Sequence, residues 1–206
     1  MDQDTDEAVE RLMPISYERR CILVHVPKTA GTSMEVALGI YGGRSKKRLF
    51  GKFEGRYLQH LTAAQIRKCV GRRVYEDFFK VAVIRNPWDR AVSEFLWRRS
   101  LPGVKKKHRS MSFEKFLRRM WGSSDPHFIP QKNFLDAEVD LVGRMEEIDK
   151  VWDRVCRRLD LSIPLPHEKK NNRKHYSRYY DVTTRGIVGD LFSEDIERFG
   201  YRFEAR

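Results

Sequence analysis

Apolar positions along the chain fall either into short continuous runs or into helical spacing, and the two patterns follow one another. The runs Cys21–Val26 and Phe79–Ile84 have the length and β-branched content of strands buried on both faces. Helical spacing then predicts helices over about residues 32–41, 62–71, 87–95, 112–121 and 147–159, and two short C-terminal helices beginning near Thr184 and Ser193. Strands therefore alternate with helices, and helix is the more abundant.

This alternation predicts the α/β class, with a central parallel sheet flanked by helices. The 206 residues suit one domain, and 40% apolar content is enough for a substantial core. We find no internal repeat. The prediction is a single domain over residues 1–206, made of an N-terminal extension (1–20) and a core (21–206).

The first strand runs into a loop that reads Pro-Lys-Thr-Ala-Gly-Thr-Ser over residues 27–33. Backbone N–H groups at a helix N-terminus lack partners, and the helix dipole adds partial positive charge. Lys28 and the hydroxyls of Thr29, Thr32 and Ser33 supply further donors. The segment is thus a P-loop-like strand-loop-helix that predicts a phosphate or a related anion, the alternative being a plain tight turn.

The order of residues in this loop differs from that of a Walker A loop. A Walker A loop places its lysine after the last glycine and its hydroxyl on Mg²⁺, whereas Lys28 precedes Gly31. We also find no apolar strand that ends in an acidic metal ligand of the Walker B kind. A metal-dependent P-loop nucleotide kinase therefore stays only as an alternative.

A second strand-to-helix junction carries R-N-P-W-D-R-A-V-S over residues 85–93. Asn86 suits an N-cap and Pro87 the first helical position. Arg85 then lies at the carboxyl end of a strand, the edge where open α/β sheets bind ligands. Ser93 follows about two turns up the helix. The alternative is that Arg85 is an ordinary surface cation and Ser93 an ordinary packing residue.

Together the two motifs resemble those of the sulfotransferase superfamily, in its carbohydrate (heparan 2-O and chondroitin type) branch. The resemblance implies the donor 3′-phosphoadenosine 5′-phosphosulfate (PAPS) and the product adenosine 3′,5′-bisphosphate. It implies that the first motif binds the 5′-phosphosulfate and that Arg85 and Ser93 bind the 3′-phosphate. The implied residues of the first motif are Lys28, Thr29, Ala30, Gly31, Thr32 and Ser33.

Later segments extend the resemblance. His127–Gln131 is similar to an H-[WF]-x-P-Q segment near the acceptor cleft, which implies that His127 and Gln131 bind the acceptor. Residues 179–181 and 195–203 match the usual ending of the family. Relatives often carry Asn-x-Ser or Asn-x-Thr before the paired tyrosines, where this chain has Lys169–Asn171. Arg173 and Lys174 remain candidates for closing over a phosphate of the donor.

The chemistry that the resemblance implies is sulfuryl transfer to a hydroxyl or an amine. Such a transfer needs an in-line nucleophile, a base, and positive charge at the leaving oxygen. Lys28 suits the last role. No metal is required, because a lysine and backbone donors can supply the electrostatic stabilisation that Mg²⁺ gives many phosphoryl-transfer enzymes.

For the base, His60 ranks first among the six histidines because it precedes a capped helix, as a histidine of relatives often does. His127 ranks second as a candidate base, and a role in binding the acceptor suits it better. His25, inside the first strand, is predicted to be a core histidine. The histidines and cysteines show no zinc-ligand spacing.

The net charge of +12 would attract a doubly anionic donor and an acidic glycan acceptor. We find no nucleic-acid-binding module, so a polyanion-binding protein without catalysis remains only an alternative. Three cysteines, no apolar leader and no membrane-length run predict a bacterial cytoplasmic enzyme without a transmembrane segment, or a trimmed Golgi-lumenal catalytic domain. Neither the acceptor nor the oligomeric state follows from the sequence.

Overall fold

The computed structural model describes residues 13–40, 51–103, 110–166 and 173–206. The fold is of the predicted α/β class, with a mixed, mostly parallel sheet. Two compact units make up the chain. The first comprises Met1–Ile84 and Asn133–Lys170, and the second comprises Arg85–Lys132 and Asn171–Arg206.

The strands of the described residues all lie in the first unit. They are β1 Ile15–Ser16, β2 Cys21–Val24, β3 Lys52–Phe53, β4 Arg56–Tyr57, β5 Phe79–Ile84 and β6 Leu141–Arg144. The main sheet has the order β1-β2-β5-β6. Strand β5 pairs in parallel with both neighbours, Ala82 lying opposite Val24 and Val142. All six residues of β5 are buried, as its apolar run predicts.

The helices of the described residues lie between these strands and, at the C-terminal end, after the last of them. They are α1 Gly31–Ala37, α2 Ala63–Asp77, α3 Pro87–Ser100, α4 Phe113–Met120, α5 Ile148–Leu159, α6 Val182–Leu191 and α7 Ser193–Phe199. The cap predicted at Asn86 forms, since its side chain accepts the N–H groups of Trp88 and Asp89. At the start of α2, Thr62 and Gln65 make a reciprocal capping box.

Each unit has its own apolar core. In the first, Leu23, Val81 and Val83 of the sheet pack with Met34 and with one face of α5. The buried residues of α5 are Val151, Trp152 and Val155, in the helical spacing from which this helix is predicted. In the second unit, Trp88, Val92 and Phe95 of α3 pack with residues of α4 and α6, in the helical spacing that predicts a helix over residues 87–95.

The structure departs from the predicted elements in four places. Strand β1, within the predicted extension, pairs antiparallel with β2, and the short hairpin β3–β4 was not predicted. Gly71 takes φ 79° and ψ 156°, which is not helical, so α2 breaks near its predicted end, and a second helical segment that was not predicted follows up to Asp77. Helix α1 ends at Ala37, and Tyr41 lies outside the described residues.

Some predicted features lie wholly or partly outside the described residues. They are the loop Lys169–Asn171 and three runs of basic residues that contribute to the net positive charge, at 44–48, 105–109 and 169–178. Among the residues that are described, no helix has the length and apolar character needed to cross a membrane.

Candidate active site

The loop between β2 and α1 holds two non-glycine residues in a left-handed backbone conformation. Lys28 has φ 71° and Ala30 has φ 65°. A side chain makes this conformation unfavourable by about 1–2 kcal/mol per residue. Such strain persists only where the surrounding structure enforces it, and it clusters in loops that hold ligands. Residues 27–33 therefore have an enforced backbone shape.

The side chains of this loop divide into a buried and an accessible set. Thr29 is buried, and its Oγ1 donates to the carbonyl of Val26 at 2.8 Å. Lys28, Thr32 and Ser33 are half-buried. The ammonium and two hydroxyls are thus the charged and polar side-chain groups that an incoming anion can reach, while Thr29 braces the loop from within.

Gly31 has no space for a side chain because the imidazole of His25 lies against it. A Cβ on Gly31 would lie 2.2 Å from both Cδ2 and Nε2 of His25. His25 itself directly follows β2 and is buried, as predicted from the sequence. The glycine in this loop therefore permits a close approach between backbone and ring.

The carboxylate of Glu35 holds the His25 ring from the other side. Glu35 is fully buried, and its Oε1 lies 2.6 Å from His25 Nδ1. Gln59 Nε2 donates to both carboxylate oxygens, at 3.0 and 3.2 Å. These hydrogen bonds offset the cost of burying the carboxylate. We name Glu35, His25 and Gln59 the sub-loop network.

His60 contacts this network directly. It ends a short 3₁₀ helix, Leu58–His60, and its Nδ1 lies 3.2 Å from the carbonyl of His25. A carbonyl only accepts, so Nδ1 carries the proton and the neutral ring has its lone pair on Nε2. The two imidazoles pack edge to face with centroids 4.9 Å apart. The predicted base is therefore held against the residue that supports the loop.

The second motif builds a cluster of two arginines around one carboxylate. Arg85 donates from Nε and Nη2 to Asp89 Oδ2, at 2.8 and 2.7 Å. Arg173 donates to the other oxygen of Asp89. The three side chains are only 13–19% exposed. The structure thus brings together two of the arginines that the sequence singled out.

Electrostatics keep this carboxylate ionised. Burial alone would raise the pKa of Asp89, but the charges and hydrogen bonds of Arg85 and Arg173 together lower that pKa below its ordinary value. One anion therefore already holds two guanidinium groups in place. A phosphate, with its higher charge and more oxygens, suits the same pair of donors.

A family comparison decides what kind of protein carries these two motifs. A model of the sulfotransferase family matches residues 14–202. The chain belongs to the sulfotransferase family. Its activity class is therefore sulfuryl transfer, which needs a sulfate donor and an acceptor.

One further relative covers part of this sulfotransferase. An uncharacterized protein of Archaeoglobus fulgidus is 25% identical over 105 residues, which is 49% of this chain and 83% of the archaeal protein. No solved structure matches the chain. Within the described parts of this sulfotransferase, no group of three or more His, Cys, Asp or Glu side chains could hold a metal ion.

Gln131, which the sequence places at the acceptor, contacts Arg85. Its side-chain amide pairs with the backbone of Arg85, accepting from the N–H at 2.9 Å and donating to the carbonyl at 2.8 Å. Asp195 in turn accepts the backbone N–H groups of Gln131 and Lys132. Gln131 is fully buried. In the structure it fixes the backbone that carries Arg85.

His127 belongs to a second carboxylate–imidazole pair in this sulfotransferase. Its Nδ1 lies 2.7 Å from Glu94, and its ring stacks on Trp97 with centroids 5.1 Å apart. Arg98 bonds both Glu94 and Asp125. Burial would raise the pKa of Glu94, but His127 and Arg98 lower it. His127 is therefore oriented by charged partners.

Arg90 is a residue to which the sequence assigned no role. It is 1% exposed and donates to the carbonyls of Ile129 and His127, at 3.1 and 3.2 Å. The sequence signal that could have identified it is its position as the second arginine of R-N-P-x-x-R over residues 85–90. Of the remaining predicted residues, Ser93 is buried on α3 and Lys174 is exposed.

Proposed function

We propose that this sulfotransferase uses PAPS as its donor and transfers the sulfuryl group to a hydroxyl of a polar, carbohydrate-like acceptor. The observation that carries the donor assignment is the Arg85–Asp89–Arg173 cluster. A 3′-phosphate distinguishes PAPS from ATP-type donors, and two guanidinium groups held by one carboxylate suit such a group. Ser93, on the same helix as Asp89, adds a hydroxyl donor.

The loop over residues 27–33 is assigned to the 5′ end of the same donor. Its accessible groups are the ammonium of Lys28 and the hydroxyls of Thr32 and Ser33. When the sulfur–oxygen bond breaks, negative charge develops on the oxygen that stays with the 5′-phosphate. Lys28 stabilises that charge, and its fixed backbone conformation lowers the reorganisation that this requires.

His60 is assigned as the general base. In the tautomer that its bond to His25 selects, Nε2 has the lone pair needed to accept the acceptor's hydroxyl proton. The acceptor oxygen then forms its bond to sulfur as the bond to the bridging oxygen breaks. His127 is assigned to the acceptor side, where Glu94 and Trp97 fix its ring.

The test is transfer of labelled sulfate from [³⁵S]PAPS to a panel of anionic and neutral glycans, in buffer containing EDTA. We expect label in at least one hydroxyl-bearing glycan and release of adenosine 3′,5′-bisphosphate. Lys28→Ala should abolish transfer. Magnesium-dependent use of ATP, or salt-sensitive glycan binding with no transfer, would instead favour a kinase or a polyanion-binding protein.

A further inference from the structure

We propose that Glu35 and His25 are positioning residues that fix the loop of residues 27–33 and the candidate base His60 together. This inference rests on the proposed function, because it assigns the loop to the 5′ end of the donor. Neither residue is suggested to touch the donor. Both act through the groups they hold.

The first step is that packing alone does not account for the charge on Glu35. It lies on α1 beside the apolar core residues Met34, Ala37 and Leu38, and it is fully buried. Buried ion pairs add little net stability, because desolvation offsets their attraction. The carboxylate instead orients the imidazole of His25, because it accepts a hydrogen bond from Nδ1 and so sets the angle of that ring.

The second step is that the ring angle of His25 determines what supports the loop. Ring atoms of His25 occupy the space where a side chain of Gly31 would lie. The ring therefore packs against the backbone of Gly31, the first residue of α1, directly after the left-handed residue Ala30. If the ring turned away, it would leave a void there, and the strained loop would lose the contact that enforces its shape.

The third step is that the same residue also holds His60. The carbonyl of His25 accepts from His60 Nδ1, and the His25 ring packs edge to face on the His60 ring. Gln59, which donates to Glu35, is the residue before His60. The loop and the candidate base are therefore both fixed by the sub-loop network, which couples their positions.

The test compares two ligands in the full chain by calorimetry. Adenosine 3′,5′-bisphosphate needs both anion sites, whereas adenosine 3′-phosphate has no 5′ group for the loop. Glu35→Gln keeps the shape of the side chain and removes its charge. We expect about tenfold weaker binding of the bisphosphate, the cost of one charge-assisted hydrogen bond, and less than twofold change for the monophosphate. Equal loss for both ligands would overturn the inference.

A control is Asp140→Asn, which weakens another ion pair in the first unit, between a buried lysine and a partly exposed carboxylate. Lys80 is 5% exposed and lies 3.1 Å from Asp140 Oδ2. This change should leave the ratio of the two affinities within twofold of the wild-type ratio. A change in that ratio as large as the one from Glu35→Gln would mean that the effect is general destabilisation, and would contradict the inference.

A double-mutant cycle tests the contact between His25 and Gly31 even if Glu35→Gln does not fold. Gly31→Ala should weaken bisphosphate binding about tenfold in the wild-type background. In the His25→Ala background the same change should cost less than twofold, because the ring it would strike is gone. Equal costs in both backgrounds would overturn the inference. A wild-type protein that binds the bisphosphate no better than the monophosphate would contradict the proposed function instead.

Discussion

At the residue scale, Arg85 is the most firmly held of the candidate donor contacts. Two of its nitrogens bond Asp89, and its backbone N–H and carbonyl both bond the Gln131 amide. A guanidinium fixed in this way presents its donors at set angles, which suits bidentate recognition of a phosphate. Arg85 should therefore contribute to affinity through both charge and geometry.

Arg85→Ala should weaken binding of adenosine 3′,5′-bisphosphate by at least about 30-fold, or roughly 2 kcal/mol, because a partly buried charge contact is lost. Binding of adenosine 5′-phosphate should change far less. Calorimetry with both nucleotides checks this. The control is Arg72→Ala, which removes an exposed arginine that also pairs with an acid four residues away, Glu76. Similar losses in the two variants would contradict the assignment.

His60→Gln should lower kcat about 10²- to 10⁴-fold, the usual contribution of a general base. Because His60 is assigned to proton transfer, the affinity for adenosine 3′,5′-bisphosphate should stay within about threefold of wild type. Initial rates with [³⁵S]PAPS and calorimetry give the two values. His175→Gln is the control, since His175 caps a short 3₁₀ helix in the second unit. Unchanged turnover in His60→Gln would remove it as the base.

At the element scale, close packing of β6 against α5 in the first unit explains why residue 143 is a glycine. A Cβ on Gly143 of β6 would lie 2.4 and 2.5 Å from the two Cγ atoms of Val151 on α5. Gly143→Ala should therefore lower the free energy of unfolding by about 1–3 kcal/mol, as overpacking does. Urea denaturation followed by circular dichroism measures this.

The control is Gly186→Ala within α6, where nothing lies within 4 Å of the added Cβ. This change should raise the free energy of unfolding by about 0.5–1 kcal/mol, because alanine has less backbone freedom to lose. In the Val151→Ala background, Gly143→Ala should cost much less than in wild type. The same cost in both backgrounds would contradict the packing explanation.

Long elements with local signals were predictable from the sequence. The strand Phe79–Ile84 and the cap at Asn86 have the residues expected, since a continuous apolar run and an Asn-Pro pair each determine local structure. Strand β1 has two residues, too few to show an alternation of apolar and polar positions, so it could be recognised only from its pairing with β2 in the structure. Gly71 takes a positive φ and breaks α2 near the end that the sequence predicts, whereas the helical segment that follows it, up to Asp77, was not predicted.

The residues of the two motifs could be predicted from the sequence, but the residues that hold them in place could not. Lys28 and Arg85 stand in recognisable loops beside strand ends. Glu35 instead reads as an ordinary polar position on a helix, because its partner His25 lies ten residues earlier and meets it only through the fold. Arg90 is similar, since it bonds carbonyls more than 35 residues away. Contacts of this kind leave no local pattern.

At the scale of the whole molecule, buried carboxylates link stability to pH. The pKa of Asp89 is lowered in the native state, where the two arginines outweigh burial. Such a group stabilises the fold above its unfolded pKa of about 4, and this contribution disappears as the pH falls through the lower native pKa. Asp195 acts in the opposite sense, because burial raises its pKa although Arg90 and backbone hydrogen bonds oppose the shift.

The free energy of unfolding should therefore fall as the pH is lowered below about 4, and Asp89→Asn should reduce that dependence. Urea denaturation at a series of pH values in wild type and variant measures both slopes. Asp181→Asn, at an exposed helix cap, serves as a comparison because hydrogen bonds from Thr184 also lower the pKa of Asp181. A slope in Asp89→Asn identical to that of wild type would contradict the assigned electrostatics.

The central claim is that the two motifs bind one doubly anionic donor without a metal. The most direct measurement is calorimetric titration of the full chain with adenosine 3′,5′-bisphosphate in EDTA, beside ATP with Mg²⁺. We predict one-to-one binding of the bisphosphate at micromolar concentrations, and weaker or undetectable binding of ATP. Tight magnesium-dependent ATP binding with no binding of the bisphosphate would contradict the claim.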